Sequence, residues 1–169
     1  CDADIVGMDS FVSDAEILAL VLDIYSALKL DIQIKINDRA NFENLEKKYV
    51  AAIDKLEKIG ESEVLAEMVN KGMASEEAKI ALSSLQDKPI TQNLQNIIDA
   101  LKRMGKDTSK VKYEPTLARG LDYYTGMIFE TVIDGSGSLC SGGRWDKMIG
   151  LFTGRDLPAV GFGLGFDRT

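Results

Sequence analysis

The chain contains no histidine, two cysteines, three prolines and one tryptophan in 169 residues. Without histidine there is no Ser/His or Cys/His nucleophile pair, no imidazole metal ligand and no ordinary proton shuttle near neutral pH. Cys1 and Cys140 stand far apart with no CxxC, which argues against a zinc site or a disulfide framework and for a reduced, cytoplasmic protein. No apolar run approaches the roughly 18 residues of a spanning helix and no basic-then-apolar leader opens the chain, so no membrane partner is expected. Positive charge is the scarcer sign, 20 basic against 27 acidic residues, and the net charge of −7 restricts any nucleic-acid contact to a local patch. What is abundant is apolar side chain, 45% of the residues, enough for one globular core or a core with a small appendage. A start at Cys1 without methionine and a stop just after a strong motif point to a piece of a longer protein.

Ser13-Asp14-Ala15-Glu16 has the form of a capping box, and Ile17, Leu18, Val21, Ile24, Tyr25 and Leu28 follow at helical spacing, predicting a buried helix from about Asp14 to Leu28. From Asp31 to Asn37 apolar and polar residues alternate, which places the isoleucines on one face of a strand. Residues 39–110 change character. Lysine- and glutamate-rich stretches carry four apolar stripes: Leu45 to Leu56, Val64 to Met68, Ala78 to Leu85 and Leu94 to Met104. This helical insert holds 12 basic and 12 acidic residues, so the whole net charge lies in the flanks, and relative to them the insert is the better neighbour for a polyanion. Short strand-like runs then return at Tyr113 to Ala118 and Met127 to Ile133, followed by a Gly/Ser loop from Gly135 to Gly143, a short helix near Trp145 to Phe152 and a strand from Ala159 to Phe166. The fold class is α+β, because no regular βαβ alternation is present.

Three clusters carry possible chemistry. In Gly161-Phe162-Gly163-Leu164-Gly165-Phe166-Asp167-Arg168, alternation gives a strand one bare glycine face and one apolar face. A flat ligand against bare backbone, with the Arg168 plane stacked over it, is one use for such a strand; close approach of another element is the other. It is not a phosphate loop, since neither GxxxxGK[ST] nor GxGxxG is complete. Arg119-Gly120-Leu121-Asp122-Tyr123-Tyr124 joins a cation able to stabilise phosphoryl charge with two phenols able to read a small polar ligand. Cys1-Asp2-Ala3-Asp4-Ile5-Val6-Gly7 alternates acids into an apolar strand, either as a solvated edge or with one carboxylate in a pocket.

Together these segments resemble the catalytic domain of histidyl-tRNA synthetases, class II aminoacyl-tRNA synthetases. Arg119 to Thr125 looks like that family's histidine signature R-G-L-D-Y-Y, Gly161 to Arg168 like class II motif 3, and Cys1 to Gly7 like the strand that ends motif 2. The resemblance implies an antiparallel-sheet catalytic core at 1–38 and 111–169, with a helical insertion at 39–110. It implies activation of histidine by ATP to histidyl-adenylate and transfer to tRNA(His). Asp4 matches the acceptor for the imidazole N–H, with Tyr123 and Tyr124 in the same pocket. Arg119 matches the arginine that contacts the α-phosphate and the histidine carboxylate. Gly163, Gly165 and Arg168 match the ATP site. Mg²⁺ would arrive with ATP, Glu130 being a weak candidate for a contact, and no resident metal is implied. The full-length enzyme would be a homodimer whose insertion approaches the tRNA acceptor region.

The sequence departs from the family at Trp145, where a histidine-pocket tyrosine is usual; indole keeps a ring and a donor but has no hydroxyl acceptor. Asp167 replaces the commoner glutamate of motif 3. Motif 1, the motif 2 arginine and the anticodon-binding domain have no counterpart here, so the chain alone is expected to lack aminoacylation activity. The alternatives are a histidine-sensing regulatory subunit of ATP phosphoribosyltransferase and a tRNA-sensing pseudo-synthetase domain attached to a protein kinase. Arg119 and Arg168 favour the enzyme, because a sensor has no need of an α-phosphate arginine.

Overall fold

The computed structural model describes residues 1–119, 123–134 and 137–169. Six strands form one sheet: β1 (Asp2–Val6), β2 (Gln33–Asp38), β3 (Val111–Tyr113), β4 (Met127–Val132), β5 (Cys140–Arg144) and β6 (Ala159–Leu164), in the spatial order β1-β6-β5-β4-β2-β3. All neighbours are antiparallel except β2 and β3, which run parallel. Alternation divides the sheet chemically. On one face Ile34, Ile36, Phe129, Cys140, Val160 and Phe162 are buried against helix α1 (Phe11–Ala27) and helix α6 (Gln92–Arg103). The isoleucines of β2 therefore share the core face, as their spacing predicts. The opposite face carries Asp2, Asp4, Gly161, Gly163, Ser141, Gly143 and Glu130.

Helix α1 begins at Phe11, before the predicted start, and its cap is Ser10, whose hydroxyl accepts from Val12 N. Ser13 does not cap. Its hydroxyl donates to the Ser10 carbonyl and accepts from Arg144 Nη2, so a tertiary partner has displaced the local capping box.

Four helices fill the first part of the insert: α2 (Lys47–Ile53), α3 (Leu56–Ile59), α4 (Glu61–Asn70) and α5 (Ser75–Gln86). The stripe from Leu45 to Leu56 is thus two helices, broken at Asp54-Lys55. Gly60, at φ +81°, turns the chain between α3 and α4, a conformation costly for any residue with a Cβ. Val50, Ile53, Val64, Met68, Ala78, Leu82 and Leu85 make a second core with Phe42, Ala118 and Ile128. Helix α6 belongs elsewhere: Leu94, Ile97 and Leu101 join the sheet's own core against α1. Residues 39–110 therefore divide between two cores, with α2 to α5 in one and α6 in the other.

Three further expectations change. The run from Tyr113 to Ala118 is strand only to Tyr113, since Pro115 offers no N–H to a ladder and Glu114 turns the chain by accepting from Thr116 N at its carboxylate and Leu117 N at its carbonyl. The Gly/Ser segment is a loop only before Cys140, and Gly135 and Ser136 lie outside the described residues. Cys140–Arg144 is the central strand β5, where a Cβ on Gly142 would come within 2.7 Å of Phe162 Cα and 2.8 Å of the Phe129 ring. Those glycines serve close approach. At the other end, β6 stops at Leu164, and Phe166, expected on the apolar face, is 76% exposed; the short helix α7 covers Met148–Thr153, beginning after Trp145.

Candidate active site

Two rows of residues cross the polar face of the sheet. In the first, Asp4 faces Gly161, Gly161 faces Gly143, and Gly143 faces Ile128. The Asp4 carboxylate leans over Gly161, where a Cβ would collide with it and come within 2.7 Å of the Ala3 carbonyl oxygen. Two strands away the Tyr124 ring lies over Gly143, its Cδ1 3.0 Å from where a Cβ would stand. A carboxylate and a phenol thus flank a floor of bare backbone. Desolvation, with Asp2 beside it, raises the Asp4 carboxyl above its ordinary range. The Tyr124 phenol is pushed up by burial and by Tyr123, so it stays protonated as a donor. The two tyrosines are in contact, ring centroids 4.5 Å apart and hydroxyls 3.5 Å apart.

In the second row, Asp2 faces Gly163, Gly163 faces Ser141, and Ser141 faces Glu130. Gly163 is open: a Cβ there would meet nothing within 4 Å. Glu130 forms an ion pair with Arg119, which also lies close enough to exert its charge on Asp54 and Tyr124. Burial raises the Asp54 carboxyl against the pull of Arg119, Lys58 and Lys55. Arg119 Nε is buried and has no hydrogen-bond partner among the described residues, so the guanidinium retains an unused donor.

Arg119 and Glu130 open onto a cavity of about 720 Å³, walled by Asp54, Leu56 and Lys58 of the helical body on one side and by Ser138, Leu139 and Arg168 on the other. Arg168 donates from Nη1 to the Ser138 carbonyl at 3.2 Å, and its Cβ and Cδ stand 3.7 and 3.8 Å from a Cβ on Gly165. The cavity thus brings together Arg119 and Arg168. Asp4, Tyr123, Tyr124, Gly163 and Gly165 are not in its wall, although Asp4 and Gly163 share the sheet face of Glu130. Trp145 is half-buried and fixed through its backbone, donating to the Ala159 carbonyl at 2.7 Å. Gly120, Leu121 and Asp122 of the signature lie outside the described residues. No group of three or more potential metal ligands occurs among the described residues, and Glu130 is committed to Arg119.

A profile described as histidyl-tRNA synthetase matches residues 34–168. The chain belongs to the histidyl-tRNA synthetase family. Histidine–tRNA ligases of Aeropyrum pernix and Cytophaga hutchinsonii are 36% and 34% identical to it, each alignment covering 99% of this chain and 45% and 44% of the ligase. A crystal structure of histidyl-tRNA synthetase from Nostoc superposes with a TM-score of 0.88 at 28% identity, over 99% of this chain and 48% of that one. The chain thus spans a little under half the length of the curated relatives it matches. The fold alone is shared with a protein of Bacillus halodurans described as an ATP phosphoribosyltransferase regulatory subunit/histidyl-tRNA synthetase, at a TM-score of 0.77 and 19% identity. The six-stranded sheet is the class II synthetase core that the signature implies.

Sequence reading missed the residues that hold this candidate site together. Arg144 is 7% exposed and donates from Nε to both Asp14 oxygens at 3.0 and 3.2 Å, from Nη1 to Asp146 at 3.1 Å and from Nη2 to the Ser10 carbonyl at 3.0 Å. Asp146 accepts from Thr125 Oγ1 at 2.9 Å and from Ala159 N at 3.1 Å, while its own N–H donates to Thr125. One guanidinium therefore joins α1 to β5, and through Asp146 it fixes the residue that follows Tyr124. The signal was Asp14, a charged residue on the apolar side of its helix, where an acid needs a buried cation.

Proposed function

We propose that the protein containing this chain activates histidine with ATP to histidyl-adenylate and transfers the histidyl group to tRNA(His). The observation that carries this is Arg119: a guanidinium held by Glu130 at a cavity mouth, with Nε still free among the described residues, beside a glycine floor flanked by Asp4 and Tyr124. Attack of the histidine carboxylate on the α-phosphate builds negative charge, and a preorganised guanidinium stabilises it without reorganising. Asp4 accepts the imidazole N–H and Tyr124, protonated, supplies a donor; an amino acid lacking the N–H would leave the carboxylate unpaired. Gly163 gives adenine an open floor and Arg168 a plane to stack on. With no histidine in the chain, this chemistry rests on positioning and electrostatics. Mg²⁺ enters as part of the nucleotide substrate, and the residues described offer it no preformed cage.

The whole enzyme is read as a cytoplasmic homodimer. Residues 1–38 and 111–169 contribute to its catalytic core, and 39–110 is the insertion, whose α2 to α5 body faces the acceptor end of the tRNA. Among the described residues no helix is long and apolar enough to cross a membrane. A histidine-sensing regulatory relative remains the second reading, favoured by the shared fold with the Bacillus halodurans protein. An adenylate-forming enzyme needs Arg119 and a sensor does not. The test is histidine-dependent ATP–pyrophosphate exchange by the full-length protein with Asp4→Ala: loss of a charged hydrogen bond is expected to raise KM for histidine about tenfold or more, with KM for ATP unchanged. Exchange with other amino acids at the rate seen with histidine would refute the assignment.

A further inference from the structure

Between Tyr113, where β3 ends, and Arg119 the backbone runs outside any strand or helix, yet it must deliver the guanidinium to Glu130. Glu114 N–H bonds the Ile36 carbonyl at its start and Ala118 is buried in the second core at its end; between them one side chain of the sheet reaches across to it. Asn37, in β2, has no exposed surface, and its Nδ2 donates to the carbonyl oxygens of Pro115 at 2.7 Å and Leu117 at 3.0 Å. Its Oδ1 accepts from Asn41 Nδ2 at 2.7 Å, and the same Asn41 group donates to the Tyr113 hydroxyl at 2.9 Å. Tyr113 in turn donates to the Pro89 carbonyl at 3.2 Å, and the Asn41 carbonyl accepts from Lys88 Nζ at 2.6 Å.

The chemistry of this position is specific to a primary amide. Two carbonyls two residues apart need two hydrogens from one nitrogen, and the remaining oxygen must be an acceptor. An aspartate has the acceptor and no donor; a serine has one hydrogen. We propose that Asn37 is a positioning residue for Arg119: it clamps 115–117 from the sheet, and the Asn41–Tyr113 pair locks its amide orientation. This rests on the reading of Arg119 given above, since it assigns a consequence in the same reaction. A displacement on the order of 1 Å at Arg119 costs about 100-fold in rate, so the clamp matters to turnover more than to binding.

The test uses the full-length protein with N37D, which keeps the acceptor for Asn41 and loses both donated bonds. The expected result is a fall of about 10- to 100-fold in kcat for histidine-dependent ATP–pyrophosphate exchange, with KM for histidine held within about twofold. Amide hydrogen exchange at 116–119 should speed up while that of β4 does not change. Combined with R119A, N37D should add nothing, because the clamp acts through Arg119. Y113F removes the phenolic hydroxyl, and with it the bonds to Asn41 and Pro89, while leaving both carbonyl bonds of Asn37 in place; it should show the same pattern at about 3- to 10-fold and carries the test if N37D does not fold. Equal losses with and without Arg119, or unchanged hydrogen exchange at 116–119, would overturn the assignment. A wild type without exchange activity, in which N37D still frees 115–119, would refute the synthetase reading while supporting the clamp.

Discussion

Gly161 shows how little room the floor has. A methyl group there would strike the Asp4 carboxylate and approach the Ala3 carbonyl at 2.7 Å, so Gly161→Ala is expected to cost about 1–3 kcal/mol in stability and to displace Asp4; denaturant unfolding and KM for histidine read the two effects. Gly163 is the control, because nothing lies within 4 Å of its Cβ position. Gly163→Ala should leave unfolding near wild type and weaken ATP by raising the adenine floor. Asp14 supplies a pH dependence. Burial pushes its carboxyl from an ordinary 3.8 up to about 6, against the hydrogen bond from Arg144. A carboxyl raised on folding contributes stability that is full below about pH 4 and lost as pH climbs through 6. The stability of wild type relative to Asp14→Asn should therefore decline between pH 4 and pH 7, as unfolding free energies of the two proteins will show.

Strand β5 is the element on which the site hangs, and Arg144 is its anchor. Arg144→Met leaves Asp14, 1% exposed, as a buried charge without its cation, at a cost on the order of 3–5 kcal/mol. The double variant Arg144→Met with Asp14→Asn should recover part of that loss, a coupling that a denaturant double-mutant cycle measures. Much at this scale was legible in sequence. The isoleucine alternation of β2, the helix behind Ile17 and the glycine alternation of β6 follow from period alone, because each element buries one face. What period could not show was long-range. Ser13 reads as a cap until Arg144, 131 residues away in sequence, takes its hydroxyl. Cys140–Gly143 reads as part of a loop because serine and glycine are turn formers, whereas its glycines exist to let β6 and Phe129 approach. Of the candidate site, the arginine and tyrosines stand in a recognisable motif; the bond between Thr125 and Asp146 was not legible, since the two residues are 21 apart in sequence.

The molecule is built around two cores that meet at the cavity. The sheet with α1 and α6 forms one, the body of α2 to α5 the other, and Asp54, Leu56 and Lys58 of that body line the same space as Arg119. Within 39–110 lysines pair with acids across helices, as Lys55 with Glu67, and Glu57 of that segment pairs across the junction with Lys35 of β2. Such exposed pairs contribute little to stability but set how the body sits over the sheet. Lys35→Ala in the full-length protein is accordingly expected to change melting temperature only slightly and to raise KM for ATP, which thermal unfolding and exchange kinetics separate. The central claim is that Arg119 stabilises charge in adenylate formation. The most direct measurement is histidine-dependent ATP–pyrophosphate exchange by the full-length protein beside its Arg119→Ala variant. The account predicts robust exchange in the wild type and a fall of about 100- to 1000-fold in kcat for the variant, with histidine still bound. Exchange that survives the substitution, or a wild type that binds histidine and never forms the adenylate, would contradict it.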